Sequence, residues 1–382
     1  MVVPALRIAC FEPWLGGSHR SFLDEWAKRS QHQLDVFGLS PRHWKWRQEA
    51  SAWELAKKID PQSEPPDLLF CSDYVDLPRL IGFLPERWRQ VRTLAYFHEN
   101  QLTYPVANGG RNDHGPGFSN ILTAIRADAL VFNSNFHRAE FGAAADKLLK
   151  RLPSPNPRAE LAAAIERASV IPPLPDLDGI PPGPGAPEGA PMRVLFPHRL
   201  EPDKDPAAFC HAVREAADAG AEIELVFTGT GRGTPRPEIA AALQSVAAWT
   251  ASDSGYAESR ESYIKLLRGS DVVASTAHHE FFGVAFAEAM AAGCTPLAPG
   301  RLSYPSLLEG WQGVAGLGGL YGPESGMVAH LLRLSEARSG LRQVAARDAA
   351  RGAVIPFDAG TNVPALDALC DRTVTNLRHP QG

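Results

Sequence analysis

The stretch HHEFFGVAFAEAMAAGCTPLAP, residues 278–299, decides the fold class. The apolar run DVVAST, 271–276, precedes it, and its end, TPLAP, 295–299, is a second such run. A helical pattern at 284–292 lies between them. Strand, helix and strand in this order build a parallel α/β sheet. Gly283 stands where strand and loop give way to helix. The free N–H groups of that first turn, at Gly283, Val284 and Ala285, can hold a diphosphate. Glu280 and Glu288 are separated by seven residues. A carboxylate at Glu288 can accept two hydrogen bonds from a ribose diol. Glu280 precedes the helix and can reach a sugar bound beyond the phosphates. Two surface glutamates on an ordinary βα unit would show the same spacing.

The same alternation runs outward in both directions. Upstream, the strand candidates are 6–11, 34–39, 67–71, 93–97 and 129–133. Downstream of a break they are 193–198, 222–228, 271–276 and 295–299, with helices at 206–219 and 258–268. The break is PPLPDLDGIPPGPGAPEGAP, 172–191, with eight prolines and four glycines. Proline lacks the N–H and glycine adds chain entropy, so this segment reads as an interdomain linker. Asp176-Leu177-Asp178 inside it reads as solvated turn residues rather than a metal-holding pair. The expected organisation is two doubly wound domains facing a cleft, since open α/β sheets bind ligands at the carboxyl ends of their strands.

Those carboxyl ends carry the other candidates. Arg199 and Lys204 follow strand 193–198 and could neutralise a leaving diphosphate. A solvated basic pair is the plainer alternative. His98, Glu99 and Asn100 emerge after strand 93–97, although a lone histidine is more often structural. Gly16-Gly17-Ser18-His19 follows the first strand and leads into a helix at 20–29. Its amides suit close approach to a phosphate or sugar.

Composition sets outer limits. The chain has 382 residues, 44% hydrophobic and 21% charged, which excludes a disordered tail, a collagen-like rod and a coiled coil. The net charge of −5 does not suit a generic polycation for nucleic acid. Five cysteines without CxxC spacing argue for a reducing compartment, and a cytoplasmic protein is expected. No run of apolar residues is long enough to span a membrane, and the N-terminus does not read as a signal peptide. Neither a GxxxxGK[ST] loop nor GxGxxG is present; Gly229-Thr230-Gly231-Arg232-Gly233 follows a late strand and does not fit.

In this order the pieces resemble retaining glycosyltransferases of GT-B architecture carrying the E-x7-E motif. The segments FEPWLGGSH (11–19), HWKWR (43–47), YFHENQLTYP (96–105), FNSNFHRAEF (132–141), FPHRLEPDK (196–204), ESRESYIKLL (258–267), STAHHEFFGVAFAEA (275–289) and RLSYP (301–305) are similar to the tRNA-queuosine α-mannosyltransferase family. The resemblance covers about residues 8–306. It implies GDP-mannose as donor and queuosine in the anticodon loop of an aspartate tRNA as acceptor. It also implies a front-face reaction with no stable enzyme nucleophile and no cofactor. No metal is expected, because two cations and a helix terminus already bear the charge. No membrane and no obligate protein partner are expected either.

The site assignments follow. His98, Arg199, Lys204 and Glu280 are the catalytic candidates. The donor falls to Gly16, Gly17, Ser18, Arg199, Lys204, Gly283, Val284, Ala285 and Glu288. The acceptor falls to His19, Trp44, Lys45, Trp46, Arg47, Glu99 and Asn100. Residues 1–172 carry 21 Lys and Arg against 19 Asp and Glu, the remainder 17 against 24, so the first domain is the better RNA face. Arg42-His43-Trp44-Lys45-Trp46-Arg47 interleaves cations with aromatics, which suits an unpaired loop. A solvated turn with one tryptophan in the core is the alternative. The expected boundaries are an acceptor domain at 1–172, a linker at 173–191, a donor domain at 192–355 and a final segment at 356–382. The resemblance implies that its helix, near 359–377, crosses back onto the first domain. Another nucleotide sugar, another acceptor, or a non-catalytic nucleotide- or RNA-binding protein would also fit parts of the pattern. The full set of glutamates and cations disfavours mere binding.

Overall fold

A computed structural model describes residues 4–104, 114–229, 236–313, 316–322 and 326–375. The chain divides into two compact units, residues 1–175 with 359–382, and residues 176–358.

The first unit holds six parallel strands in the order β2-β1-β3-β4-β5-β6. They are β1 (Arg7–Glu12), β2 (Gln33–Gly38), β3 (Leu68–Ser72), β4 (Arg92–Phe97), β5 (Ala129–Phe132) and β6 (Ser169–Val170). Alternate residues serve two cores. Ala9, Phe11, Leu69, Cys71, Ala95 and Phe97 face one layer of helices. Ile8, Cys10, Leu68, Phe70, Leu94 and Tyr96 face the other. Strands buried on both faces read as near-continuous apolar runs, which is why β1, β3 and β4 stand out in the sequence.

Helix Ala359–Thr375 belongs to the second of these cores through Val363, Leu366 and Cys370. Asp367 fixes it by accepting from Trp26 Nε1 at 2.8 Å, Ser30 Oγ at 2.8 Å and the Gln31 amide at 2.9 Å. Residues 376–382 of the expected last segment lie outside the described residues.

The second unit holds five parallel strands in the order β11-β10-β9-β7-β8. They are β7 (Met192–Phe196), β8 (Ile223–Phe227), β9 (Val272–Ala274), β10 (Thr295–Pro299) and β11 (Gly319–Tyr321). Leu195, Val226, Val273 and Ala298 point to one core, and Val194, Leu225, Val272 and Leu297 to the other.

The Pro-rich segment is not a free-standing spacer. Leu177 and Ile180 are buried in the core of the second unit. Its carbonyls cannot enter a ladder, so arginines satisfy them. Arg342 donates to the carbonyls of Pro187, Ala190 and Pro191, and Arg351 to those of Leu177 and Ile180. Arg351 also pairs with Asp178 at 2.8 Å, so that turn carboxylate is tethered although its side chain is largely exposed.

Candidate active site

In each sheet the strand order reverses at one point. The chain leaves β1 for β2, then returns on the other side of β1 as β3. It leaves β7 for β8, then returns beside β7 as β9. Open α/β sheets bind ligands outside the strand ends at such points. Most of the candidates lie there.

In the second unit, the loops after β7 and β9 are stitched together. The His278 amide donates to the Asp203 carbonyl at 2.8 Å, and Thr276 Oγ1 to the Lys204 carbonyl at 2.9 Å. Buried His198 meets Ser275 Oγ at 2.9 Å, and Ser275 meets Tyr304 at 2.6 Å. Burial and then Lys204 lower His198 to about 4, so it is neutral at pH 7. Lys204 sits in the short 3-10 turn Pro202–Lys204 and is mostly buried. Its Nζ donates to the His279 carbonyl at 2.5 Å and lies 3.3 Å from both Glu280 Oε2 and Asp203 Oδ2. Burial alone would lower Lys204, but Glu280 and Asp203 outweigh it and raise the ammonium. Burial would raise Glu280, and Lys204 more than offsets it, so Glu280 is lowered. Arg199 is half exposed, with Nη1 3.1 Å from Glu201 Oε1.

Gly283 is left-handed, with φ at +97°, and caps helix Val284–Ala291 without a side-chain cap. The first-turn amides, including Val284 and Ala285, therefore have no intrahelical partners. Glu288 is held by the neighbouring helix Arg260–Arg268. Its Oε1 takes Arg260 at 2.7 Å and its Oε2 takes the Tyr263 hydroxyl at 2.9 Å. These two partners escape sequence reasoning, although ESRESYIKLL marks the segment.

In the first unit, Gly16 is extended and Gly17 is left-handed at φ +54°. A Cβ on Gly16 would stand 2.6 Å from Pro41. The helix begins at Gly17, not at residue 20, and Gly17 and Ser18 are exposed in its first turn. His19 turns inward. Its Nδ1 lies 3.0 Å from Glu12 Oε2, and its ring centre is 4.2 Å from that of His98. Burial would lower His19, but Glu12, with Asp73 and Glu99, outweighs it and raises the ring to about 9. Burial, then the His19 and His137 charges, push His98 well below its ordinary value. The two neighbouring rings, tilted by 36°, thus differ: His19 is cationic and His98 neutral. His98 Nε2 is buried without a hydrogen-bond partner among the described residues.

Asp73, directly after β3, positions the His98 loop. Its Oδ1 accepts from the His98 amide at 2.8 Å and lies 3.4 Å from the Glu99 amide. Glu99 Oε1 accepts from Gln101 Nε2 at 3.0 Å. Asn100 is fully buried, and its Oδ1 staples the loop by accepting from the Leu102 and Thr103 amides at 3.1 Å. His19 is likewise turned inward, as a buried partner of Glu12. Glu12 and Asp73 were missed by sequence reasoning. The available signal was a carboxylate at or just after the end of an apolar strand.

Ligand-capable atoms of Glu12, His19 and His98 lie within 4.8 Å of one another, the one group of metal-holding geometry among the described residues. A metal at this group would have to displace the proton that Glu12 favours on His19.

Trp44, Lys45, Trp46 and Arg47 form the first turn of helix Trp44–Ala56 rather than a loop. Neither tryptophan is in the core: Trp44 is 46% exposed and Trp46 57%. Lys45 Nζ stands 5.5 Å from the Trp44 ring centre. Arg47 is ion-paired with Glu54 and donates through Nε to the Ser40 carbonyl at 3.2 Å. That engagement removes it as a free phosphate contact.

Comparison with known proteins fits this geometry. Residues 7–175 match the family described as tRNA-queuosine alpha-mannosyltransferase N-terminal, and residues 184–312 match glycosyl transferases group 1. The chain is 31% identical over 311 residues to the tRNA-queuosine alpha-mannosyltransferase of Drosophila melanogaster, covering 79% of this chain and 81% of that one. The chain belongs to the tRNA-queuosine alpha-mannosyltransferase family. It is a glycosyltransferase. Solved structures show the fold. Sucrose-phosphate synthase from Thermosynechococcus elongatus superposes with a TM-score of 0.72 at 14% identity, covering 96% of this chain and 98% of that one. HepE from Anabaena, in complex with UDP and glucose, gives 0.64 at 14% identity, covering 98% and 100%. The architecture of this family member is GT-B. Among its described residues, no helix is long and apolar enough to cross a membrane.

Proposed function

We propose that this chain transfers mannose, with retention, from GDP-mannose to queuosine in the anticodon loop of an aspartate tRNA. The observation that carries the reading is the Lys204–Glu280 pair beside the uncapped helix at Gly283, in a chain with a queuosine-mannosyltransferase relative. The acceptor hydroxyl attacks the anomeric carbon on the face that the diphosphate leaves. The C–O bond to phosphate breaks, the new glycosidic bond forms, and the departing phosphate oxygen takes the acceptor proton. Lys204, Arg199 and the amides of Gly283, Val284 and Ala285 meet the developing phosphate charge, which is where preorganised donors have most effect. Glu280 orients sugar hydroxyls. Each Glu288 oxygen already accepts one hydrogen bond and keeps a second lone-pair site for the ribose diol. On the first unit, the helix start at Gly17 and Ser18 is exposed and suits a phosphate oxygen, and His98 is neutral with an unpartnered Nε2 among the described residues.

No metal is proposed for the reaction, and activity should survive EDTA. A loss restored by Mg²⁺ or Mn²⁺ would refute that. A cytoplasmic location is part of the same proposal, supported by five buried, free thiols. The deciding experiment is mass spectrometry of tRNA nucleosides after incubation with GDP-mannose and other nucleotide sugars. Hexosylated queuosine formed from GDP-mannose supports the proposal, and its absence from queuosine-containing tRNA overturns it.

A further inference from the structure

Beside the His98 loop lies a polar cavity of about 170 Å³, wholly within the first unit. Glu49, Asp73, Tyr74, Asp76, Arg79 and Ser119 are among its lining residues. The lining thus holds three acidic residues and one arginine. Arg79 is already committed, 3.4 Å from Asp76 and 3.5 Å from Glu49. Asp76 is satisfied too, by the Arg79 amide at 3.0 Å and Ser119 Oγ at 3.0 Å. Asp73 is the exception. It is 2% exposed, and its Oδ2 has no hydrogen-bond partner among the described residues. A buried carboxylate oxygen without a donor is costly, and such exceptions mark groups kept for a role other than packing.

We propose that this cavity is the subsite for the ammonium group of the acceptor nucleoside, with Asp73 Oδ2 as its principal partner and Glu49 at the mouth. The proposal rests on the queuosine reading. Queuosine joins its deazaguanine to a cyclopentenediol through a secondary amine, which is cationic at neutral pH. An ammonium N–H supplies the donor that Asp73 lacks, and Tyr74 and Ser119 line the same space for hydroxyls. Burial, then Glu99, push the Asp73 carboxyl well up, the behaviour of a group short of a counter-charge. Because Asp73 Oδ1 also holds the His98 amide, the same side chain would tie acceptor capture to the position of His98.

Two measurements test it. The first is the acceptor KM for queuosine-containing tRNA with Asp73→Asn and Glu49→Lys, beside the GDP-mannose KM. Asp73→Asn should raise the acceptor KM at least about tenfold, the scale of one charged hydrogen bond, and leave the donor KM within about twofold. Glu49 is exposed, so Glu49→Lys carries the test if the Asp73 variant does not fold. The second is calorimetric titration of the wild-type chain with free queuosine, its uncharged N-acetyl derivative and lysinamide. Queuosine should bind at least about tenfold tighter than the other two, by the same charged contact. Equal binding of queuosine and the N-acetyl form overturns the subsite, as does an unchanged acceptor KM in both variants with transfer intact. Lysinamide binding as tightly as queuosine overturns the nucleoside as its occupant. Preferred queuosine binding without mannosyl transfer would overturn the transfer reading and leave the subsite standing.

Discussion

The two strand-reversal points of this molecule handle charge in opposite ways. Beside β7 and β9, the charges are already paired with one another: Lys204 with Asp203 and Glu280, Glu288 with Arg260. Beside β1, β3 and β4, they are only partly paired. Glu12 holds His19, while His98 Nε2 and Asp73 Oδ2 have no hydrogen-bond partner among the described residues. The second unit thus carries a preset, balanced lattice of charge, as suits the diphosphate proposed for it. The first unit keeps polar atoms in reserve, as suits the acceptor proposed for it. Breaking the two lattices should give different symptoms.

The largest effect belongs to Lys204. Lys204→Met should lower turnover by about 10²–10³, the scale for one preorganised charge-stabilising donor. It should also destabilise the second unit by about 3–5 kcal/mol, because Asp203 and Glu280 lose their buried counter-charge. Arg199→Ala should lower turnover with little loss of stability, since its side chain is half exposed. Single-turnover rates at saturating donor and urea unfolding separate the two losses. Near-normal turnover in both variants would remove the phosphate assignment.

Next comes the histidine pair. The folded value of His19, about 9, lies above its ordinary 6.5. The Glu12–His19 pair therefore contributes fully below about pH 6.5 and is lost as pH rises through about 9, by about 3 kcal/mol in total. Glu12→Gln should remove most of that loss, leaving the smaller share due to Asp73 and Glu99, so the wild type should drop more than the variant between about pH 6 and 10 in unfolding free energy. Parallel curves would show that Glu12 does not hold the proton. The contrast matters for His98 as well, because a neutral His19 no longer opposes its protonation.

A smaller effect separates the glutamates of the second unit. Glu288→Ala should weaken GDP binding about tenfold, the scale of one hydrogen bond involving a charged group. Glu280→Ala should spare GDP and damage turnover, because Glu280 is assigned to the sugar. Calorimetry with GDP decides, and the reverse pattern would exchange the two roles.

The sequence made the lattice of the second unit more legible than that of the first. Lys204, Glu280 and Glu288 lie on loops and a helix that follow apolar strands, and their spacing is local. Glu12 closes the apolar run of β1, so it reads as the end of a strand, and only the fold brings His19 back to it. Asp73 is likewise one polar residue after LLFCS, and its meaning depends on the cavity it lines. The central strands were read within a residue or two at each end, because burial on both faces makes them apolar. β6 and β11, of two and three residues, are too short to show any period. Residues 173–191 read as a linker because proline and glycine signal local geometry only. Their anchors, Arg342 and Arg351, stand more than a hundred residues away in sequence.

The smallest expected effect tests the helix Trp44–Ala56, and it sharpens the contrast within one turn. Lys45 and Arg47 look equivalent in sequence. In the fold, Arg47 is tied to Glu54, while Lys45 has no acidic partner among the described residues and stands over the exposed Trp44. A phosphate contact releases counterions, and a cation already paired with a carboxylate has fewer to release. Lys45→Ala should therefore weaken binding of queuosine-containing tRNA and reduce the slope of log K against log salt by about 1. Arg47→Ala should leave that slope unchanged, and GDP affinity should be unchanged in both. Filter binding across a salt series reads the difference. Equal slopes in the wild type and Lys45→Ala would take this helix turn out of the acceptor surface. An effect of Arg47→Ala as large as that of Lys45→Ala would mean that the ion pair with Glu54 opens to admit RNA.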